Sequence, residues 1–206
     1  MQLTCDGDVP MIDLLPHITS FFERIRKGEV EIYNEFSLQL EIGMHLKVCT
    51  AGSGLKIQFE RPVGYFSPGS ARLIKKEIDI AVFTPDRCER VALELKFPKN
   101  GQYPEQMFKA CQDVAFLEQL IAAGFSAGYF VMVVDDRLFY EGADSGGIYS
   151  HFRGGKTLCG TILKPTGARD EQATVRGQYL VQWNSAGDLH YATLPVEAAV
   201  CRTDLA

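Results

Sequence analysis

The chain has 206 residues, 46% of them hydrophobic, enough to bury a substantial core as one domain over residues 1–206. Its 21 basic and 26 acidic residues leave a net charge of -5, which excludes the overall charge of a strong non-specific DNA binder but not a local basic rim or bound cations. The six cysteines at 5, 49, 88, 111, 159 and 201 show no CxxC pairing, and no segment reaches ~20 uninterrupted apolar residues or follows the pattern of a secretory leader. The expectation is a soluble, cytoplasmic protein with reduced thiols, no zinc site, no disulfide framework and no membrane association.

Met11 to Lys27 carries Ile12, Leu14, Leu15, Ile18, Phe21, Phe22 and Ile25 at helical spacing and stops at Gly28. A second helix is expected over Asn34 to Val48. Its apolar positions Phe36, Leu38, Leu40, Ile42, Met44 and Leu46 also alternate as in a strand, but the length of the run and its helix formers favour helix. Leu55 to Glu60 alternates and reads as a strand. A Pro/Gly-rich loop from Pro62 to Gly69 follows, containing Tyr65 and Phe66 and leading to Arg72, Lys75 and Lys76. These aromatic and basic residues suit stacking on bases and neutralising phosphates, or else form a hydrophobic plug and a solvated charge run.

Two strands come next, Glu77 to Phe83 and Val91 to Phe97, then a turn over Pro98–Gly101 and a helix from about Pro104 to Ala123. Gly128 to Val134 is an apolar, buried strand. Residues 139–206 read as a β-rich extension with strands at Gly147 to Phe152, Thr157 to Leu163, Gln178 to Trp183 and Leu189 to Leu194. The last two flank a hairpin signal at Asn184 to Asp188. Tyr149, His151, Phe152, Arg153 and Lys156 accompany Gly154 and Gly155, without the spacing of a phosphate-binding loop. His17, His45, His151 and His190 lack metal-ligand spacing.

The chemistry concentrates in the two central strands. Side chains alternate across a strand, so Glu94 and Lys96 share one face and Leu93, Leu95 and Phe97 the other, while Asp79 stands opposite Ile78, Ile80 and Val82. Ordinary surface charges on a half-solvated hairpin give the same alternation. Against that reading, the charged face carries small Ala81 and Ala92, as suits a face covered by a helix, and both strands are nearly continuous apolar runs. Charges placed in such strands need a partner or a metal.

An Asp followed fifteen residues later by Glu-x-Lys, each on a strand, resembles the PD-(D/E)XK nuclease superfamily, also called restriction endonuclease-like. The resemblance covers residues 30–135. It implies an α/β (α+β) fold with an α-β-β-β-α-β core, a mixed central sheet flanked by helices, and here additional C-terminal strands. It also implies Mg2+ or Mn2+ held by Asp79, Glu94 and the Leu95 carbonyl, with Lys96 orienting the attacking water or steadying the transition state, and DNA as the partner. A further carboxylate usually comes from the first core helix, where Glu35 and Glu41 are the candidates. Six residues apart, they are separated by about 600° of helical rotation and do not share a face. Gln106, in the next helix, is a weaker candidate, since the Gln-x-x-x-Tyr pattern of several branches fails at Ala110. The rival reading is a nuclease-fold module without turnover that binds nucleic acid or a protein. Cutting both strands of a duplex often uses two sites, which suits a homodimer, although the sequence carries no interface signal.

Overall fold

The computed structural model describes residues 12–68, 73–99, 101–143, 146–167 and 170–197. Its elements run α1 (Leu15–Arg26), α2 (Glu35–Cys49), β1 (Lys56–Pro62), β2 (Glu77–Phe83), β3 (Arg90–Lys96), α3 (Tyr103–Ala122), β4 (Ala127–Val134), α4 (Tyr149–Phe152), β5 (Leu158–Leu163), β6 (Gln172–Tyr179), β7 (Asn184–Ala186) and β8 (Leu189–Glu197). From α2 to β4 the order is α-β-β-β-α-β, and the fold is a mixed α/β one with extra C-terminal strands.

Six strands form one sheet in the order β1-β2-β3-β4-β8-β7. β1, β2 and β3 are successively antiparallel, whereas β3 and β4 are parallel. A parallel pair needs a long crossover, and α3 supplies it. β8 then adds antiparallel to the far side of β4, so every residue of β4 is buried. β5 and β6 pair separately, and their Leu158, Ile162, Ala173 and Val175 belong to the same core as the inner side of α3.

Period-2 alternation sorts the sheet's side chains into two cores. Val91, Leu93, Leu95 and Phe97 join Ile80, Val82 and the buried rows of α1 and α2. Ala81, Phe83 and Ala92 face Phe108, Cys111, Val114 and other residues of α3. The small alanines let α3 lie close to the β2–β3 face that also bears Asp79, Glu94 and Lys96. Leu93 has no exposed surface, so Leu93→Ala would remove about 2–5 kcal/mol of stability.

The strand-like alternation in α2 has a helical cause. Leu38, Ile42 and Leu46 form one i, i+4 row turned to the core, and Phe36, Leu40, Met44 and Val48 form a second, exposed row. Two apolar rows offset by two residues mimic a period of two. Asn34 caps the helix, its side chain accepting from the Ser37 amide at 2.8 Å, which fixes Glu35 in the first turn. At Gly43 a Cβ would lie 2.2 Å from the Phe59 ring, so glycine permits the close approach of α2 to β1.

Three expectations need correction. Residues 147–152 form no strand: Ile148 and Phe152 are buried at i, i+4 spacing and α4 spans Tyr149–Phe152. The strand expected at Gln178 to Trp183 ends at Tyr179 as part of β6, and Trp183 instead donates its indole N–H to the Phe152 carbonyl at 2.9 Å. Asn184–Ala186 is itself the short strand β7, paired to β8 through a two-residue turn in which Gly187 takes φ 63°. The third concerns the thiols: Cys49, Cys111 and Cys159 are free, but Cys88 is disulfide-bonded. Sequence spacing says nothing about which loops approach in space. Cys5 and Cys201 lie outside the described residues, as do Met11, Gly69, Arg72 and Asn100. Among the described residues, no helix is long and apolar enough to cross a membrane.

Candidate active site

The regular β2–β3 ladder runs from Phe83↔Arg90 to Ile80↔Leu93. One residue further on, side chains replace the backbone as acceptors. The Leu95 amide donates to Asp79 Oδ2 at 2.7 Å, and the Asp79 amide donates to Glu94 Oε1 at 3.3 Å. Each carboxylate thus has one oxygen anchored to the neighbouring strand. The other oxygens face a common cation, the ammonium of Lys75, which donates to Glu94 Oε2 and lies 3.9 Å from Asp79 Oδ1.

Asp113, on the sheet-facing side of α3, joins the two lysines of the cluster. Its Oδ1 accepts from Lys75 at 3.2 Å, and its Oδ2 lies 3.1 Å from Lys96 Nζ. The second contact is an ion pair without hydrogen-bond alignment, which leaves Oδ2 a buried acceptor with no hydrogen-bond partner. Glu35 approaches from the first turn of α2. Its Oε2 accepts from the Phe97 amide at 3.0 Å and lies 4.0 Å from Lys96 Nζ. On the opposite side of Asp79, Gln39 donates to the Asp79 carbonyl at 2.8 Å.

Of the residues singled out from sequence, the structure brings together Asp79, Glu94, Lys96 and Glu35. Glu41 and Gln106 take part in none of these contacts. Glu41 faces away for the reason its spacing gives, whereas Gln106 lies two helical turns before Asp113 on α3. Asp113 is the residue that sequence reasoning missed, and Lys75, read from sequence as a loop cation for phosphate or solvent, enters this site instead. Asp113 did leave a signal, being a carboxylate set among Ala110, Cys111, Val114 and Leu117 on the buried face of a helix. Such a position demands a cation.

Burial governs the electrostatics. Asp79 is pushed up to about 6, first by desolvation, with the Lys75 charge and the Leu95 amide pulling against it. Glu94, with no exposed surface, is raised well above the usual carboxylate range by burial and then by Asp79, against Lys75. For Lys75 and Lys96 burial opposes the charge but loses. Glu94, Asp113 and Asp79 hold Lys75 above the ordinary lysine value, and Asp113 and Glu35 do the same for Lys96. Both sides of the Lys75–Glu94 pair are raised because burial, and then the neighbouring Asp79, lifts Glu94, while several carboxylates surround Lys75; in all, Asp79, Glu94, Asp113 and Glu35 face two ammonium groups. The cluster is short of positive charge.

Asp79 and Glu94 are therefore hard oxygen donors already arranged around a cation. That cation is a lysine, and among the described residues no group of three or more His, Cys, Asp or Glu side chains is arranged to hold a metal ion. The aromatic part of the loop follows the hydrophobic-plug reading, whereas Lys75 leaves the expected solvated charge run. Phe66 is buried against Phe83 and Phe125 as a plug, Tyr65 carries Arg61 over its ring at 3.6 Å to the centroid, and Lys75 enters the carboxylate cluster. The basic stretch near α4 is structural: His151 Nδ1 lies 2.9 Å from the Thr157 carbonyl, and Arg153 donates to the Leu138 carbonyl. His45 is likewise structural, tying α2 to α1 through Ser20 Oγ at 2.9 Å. Burial and then Arg24 lower its pKa.

Comparison with protein-family models, with curated proteins and with solved structures returns no match.

Proposed function

We propose that this chain is a metal-dependent nuclease of the PD-(D/E)XK type that hydrolyses DNA phosphodiester bonds. The observation that carries this reading is the convergence of Asp79, Glu94 and Lys96 at one strand split, within an α-β-β-β-α-β order and with Glu35 of the first core helix beside them. Three mutually dependent charges in central strands have no purpose in a fold kept for packing alone.

Asp79 and Glu94, with the Leu95 carbonyl, would hold Mg2+ or Mn2+, and the bound ion supplies a lowered water pKa and charge neutralisation at the phosphate. The protein's own groups do the rest. The two backbone amides lock the carboxylates in place, so their outward oxygens need no reorganisation. Asp113 and Glu35 keep Lys96 protonated, and Asp113 ties its ammonium to Lys75 beside the carboxylate pair, a position from which it would orient water or offset charge on the phosphorus oxygens. Restriction or defence cleavage and DNA repair or recombination are the settings this chemistry serves, and a homodimer would supply two such sites for a duplex.

A nuclease-fold module without turnover draws support from one feature, the Lys75 ammonium standing in the cation position. Mn2+ titration by calorimetry separates the two readings. The nuclease reading expects binding that Asp79→Ala abolishes and Lys96→Ala spares. Binding unaffected by Asp79→Ala, or no binding by any form of the protein, overturns it.

A further inference from the structure

We propose that Lys75 is a tethered competitor for the divalent cation, its ammonium and the metal ion occupying the Asp79–Glu94 pair in turn. The proposal rests on the metal-dependent reading above and adds a residue outside the Asp/Glu-x-Lys set.

The geometry is that of a cation site with a cation in it. Asp79 Oδ2 and Glu94 Oε1 are held by backbone amides, and the two oxygens left over both face Lys75 Nζ. A metal ion taking those two oxygens meets the ammonium in the same place, so the two exclude each other. Withdrawing Lys75 costs Asp113 its hydrogen-bond donor but not its charge partner. Lys96 by itself lies 3.1 Å from Asp113 and 4.0 Å from Glu35, so withdrawing Lys75 leaves Asp113 with a cationic neighbour.

The path out is open. Glu94 lies at the bottom of the site with its side chain fully buried, whereas the Lys75 side chain is 33% exposed. Its neighbours are pinned: the Ile74 amide donates to Gln119 Oε1 at 2.8 Å and the Lys76 carbonyl accepts from the Val63 amide at 2.9 Å. Withdrawal is therefore a rotation of a four-carbon stem, with no strand displaced. Exchanging one positive charge for two also brings a cluster with excess carboxylates closer to neutrality. A phosphate arriving at the site would offer the released ammonium a new anionic partner, so substrate and metal would favour each other's binding.

The test is Mn2+ affinity measured by electron paramagnetic resonance of the free ion for wild type, Lys75→Met and Lys75→Gln. Lys75→Met keeps the stem and Lys75→Gln keeps a donor for Glu94 without charge. In the wild type, acetylation of Lys75 by an amine-reactive ester, read by mass spectrometry with and without Mn2+, gives a second readout that needs no variant to fold. The expected result is affinity tightened ~10-fold or more in both variants and faster Lys75 acetylation when Mn2+ is present. Equal or weaker affinity in the variants, or acetylation slowed or unchanged by Mn2+, with binding still lost in Asp79→Ala, overturns the competition and leaves the metal site standing. No Mn2+ binding by wild type or either variant overturns both.

Discussion

Replacing Asp79 with Asn in metal-free protein removes a charge that the fold holds at a cost. The carboxyl is pushed from 3.8 up to about 6, burial being the largest cause, so the folded chain retains its proton at pH values where the unfolded chain has released it. The Asp79 contribution to stability is then greatest below about pH 4, falls as pH rises through the window between about 4 and 6, and changes no further above it. A shift of that size corresponds to about 3 kcal/mol at neutral pH. The side chain is only 19% exposed, so solvent screening reduces this little. In a chain of this length ~1 kcal/mol moves Tm by ~2–4 °C, giving up to about 6–12 °C across the window. Asn retains an oxygen for the Leu95 amide but cannot ionise, and Glu94, which Asp79 also raises, is relieved in the same direction. Thermal melts of wild type and Asp79→Asn in EDTA between pH 4 and 7 read the difference directly. The wild type should lose Tm with rising pH relative to the variant. Parallel curves for the two proteins would refute the claim that Asp79 is an undercompensated buried acid.

Glu94→Ala leaves the Asp79 amide without its acceptor and Lys75 with Asp113 as its remaining hydrogen-bond partner, and should lower stability by about 1–3 kcal/mol in urea unfolding. A loss below about 1 kcal/mol would mean that the pair is solvated. Glu35→Gln removes the charge beside Lys96 and should slow DNA cleavage by ~10-fold or more, while Glu41→Gln leaves the rate unchanged. Equal effects of the two substitutions would remove Glu35 from the site.

The core from β1 to β4 was legible because each element is written in one strong local pattern, whereas α2, whose two apolar rows mimic a strand, was settled by its length and helix formers. Ala81 and Ala92 announced the helix that covers the charged face, and Asp79 and Glu94 stood out as charges in apolar strands. Capping chemistry at Asn34 and Ser37 would have decided between Glu35 and Glu41, since it places Glu35 at the end of the helix that reaches Lys96. The place of Lys75 in the site was out of reach because this residue acts from outside any periodic element, through a side chain long enough to cross to another strand. The C-terminal strands blurred for a different reason. β7 has three residues and β5–β6 packs on α3 rather than on the sheet, so their boundaries follow tertiary contacts instead of local alternation.

Cleavage of DNA by the purified protein tests the central claim most directly. Supercoiled, linear and branched DNA would be incubated with and without Mg2+ or Mn2+, with Asp79→Ala and Lys96→Ala alongside. The account predicts metal-dependent cleavage that disappears in both variants, the preferred substrate identifying the pathway served. Absence of cleavage on every substrate, or cleavage that survives both substitutions, would contradict it.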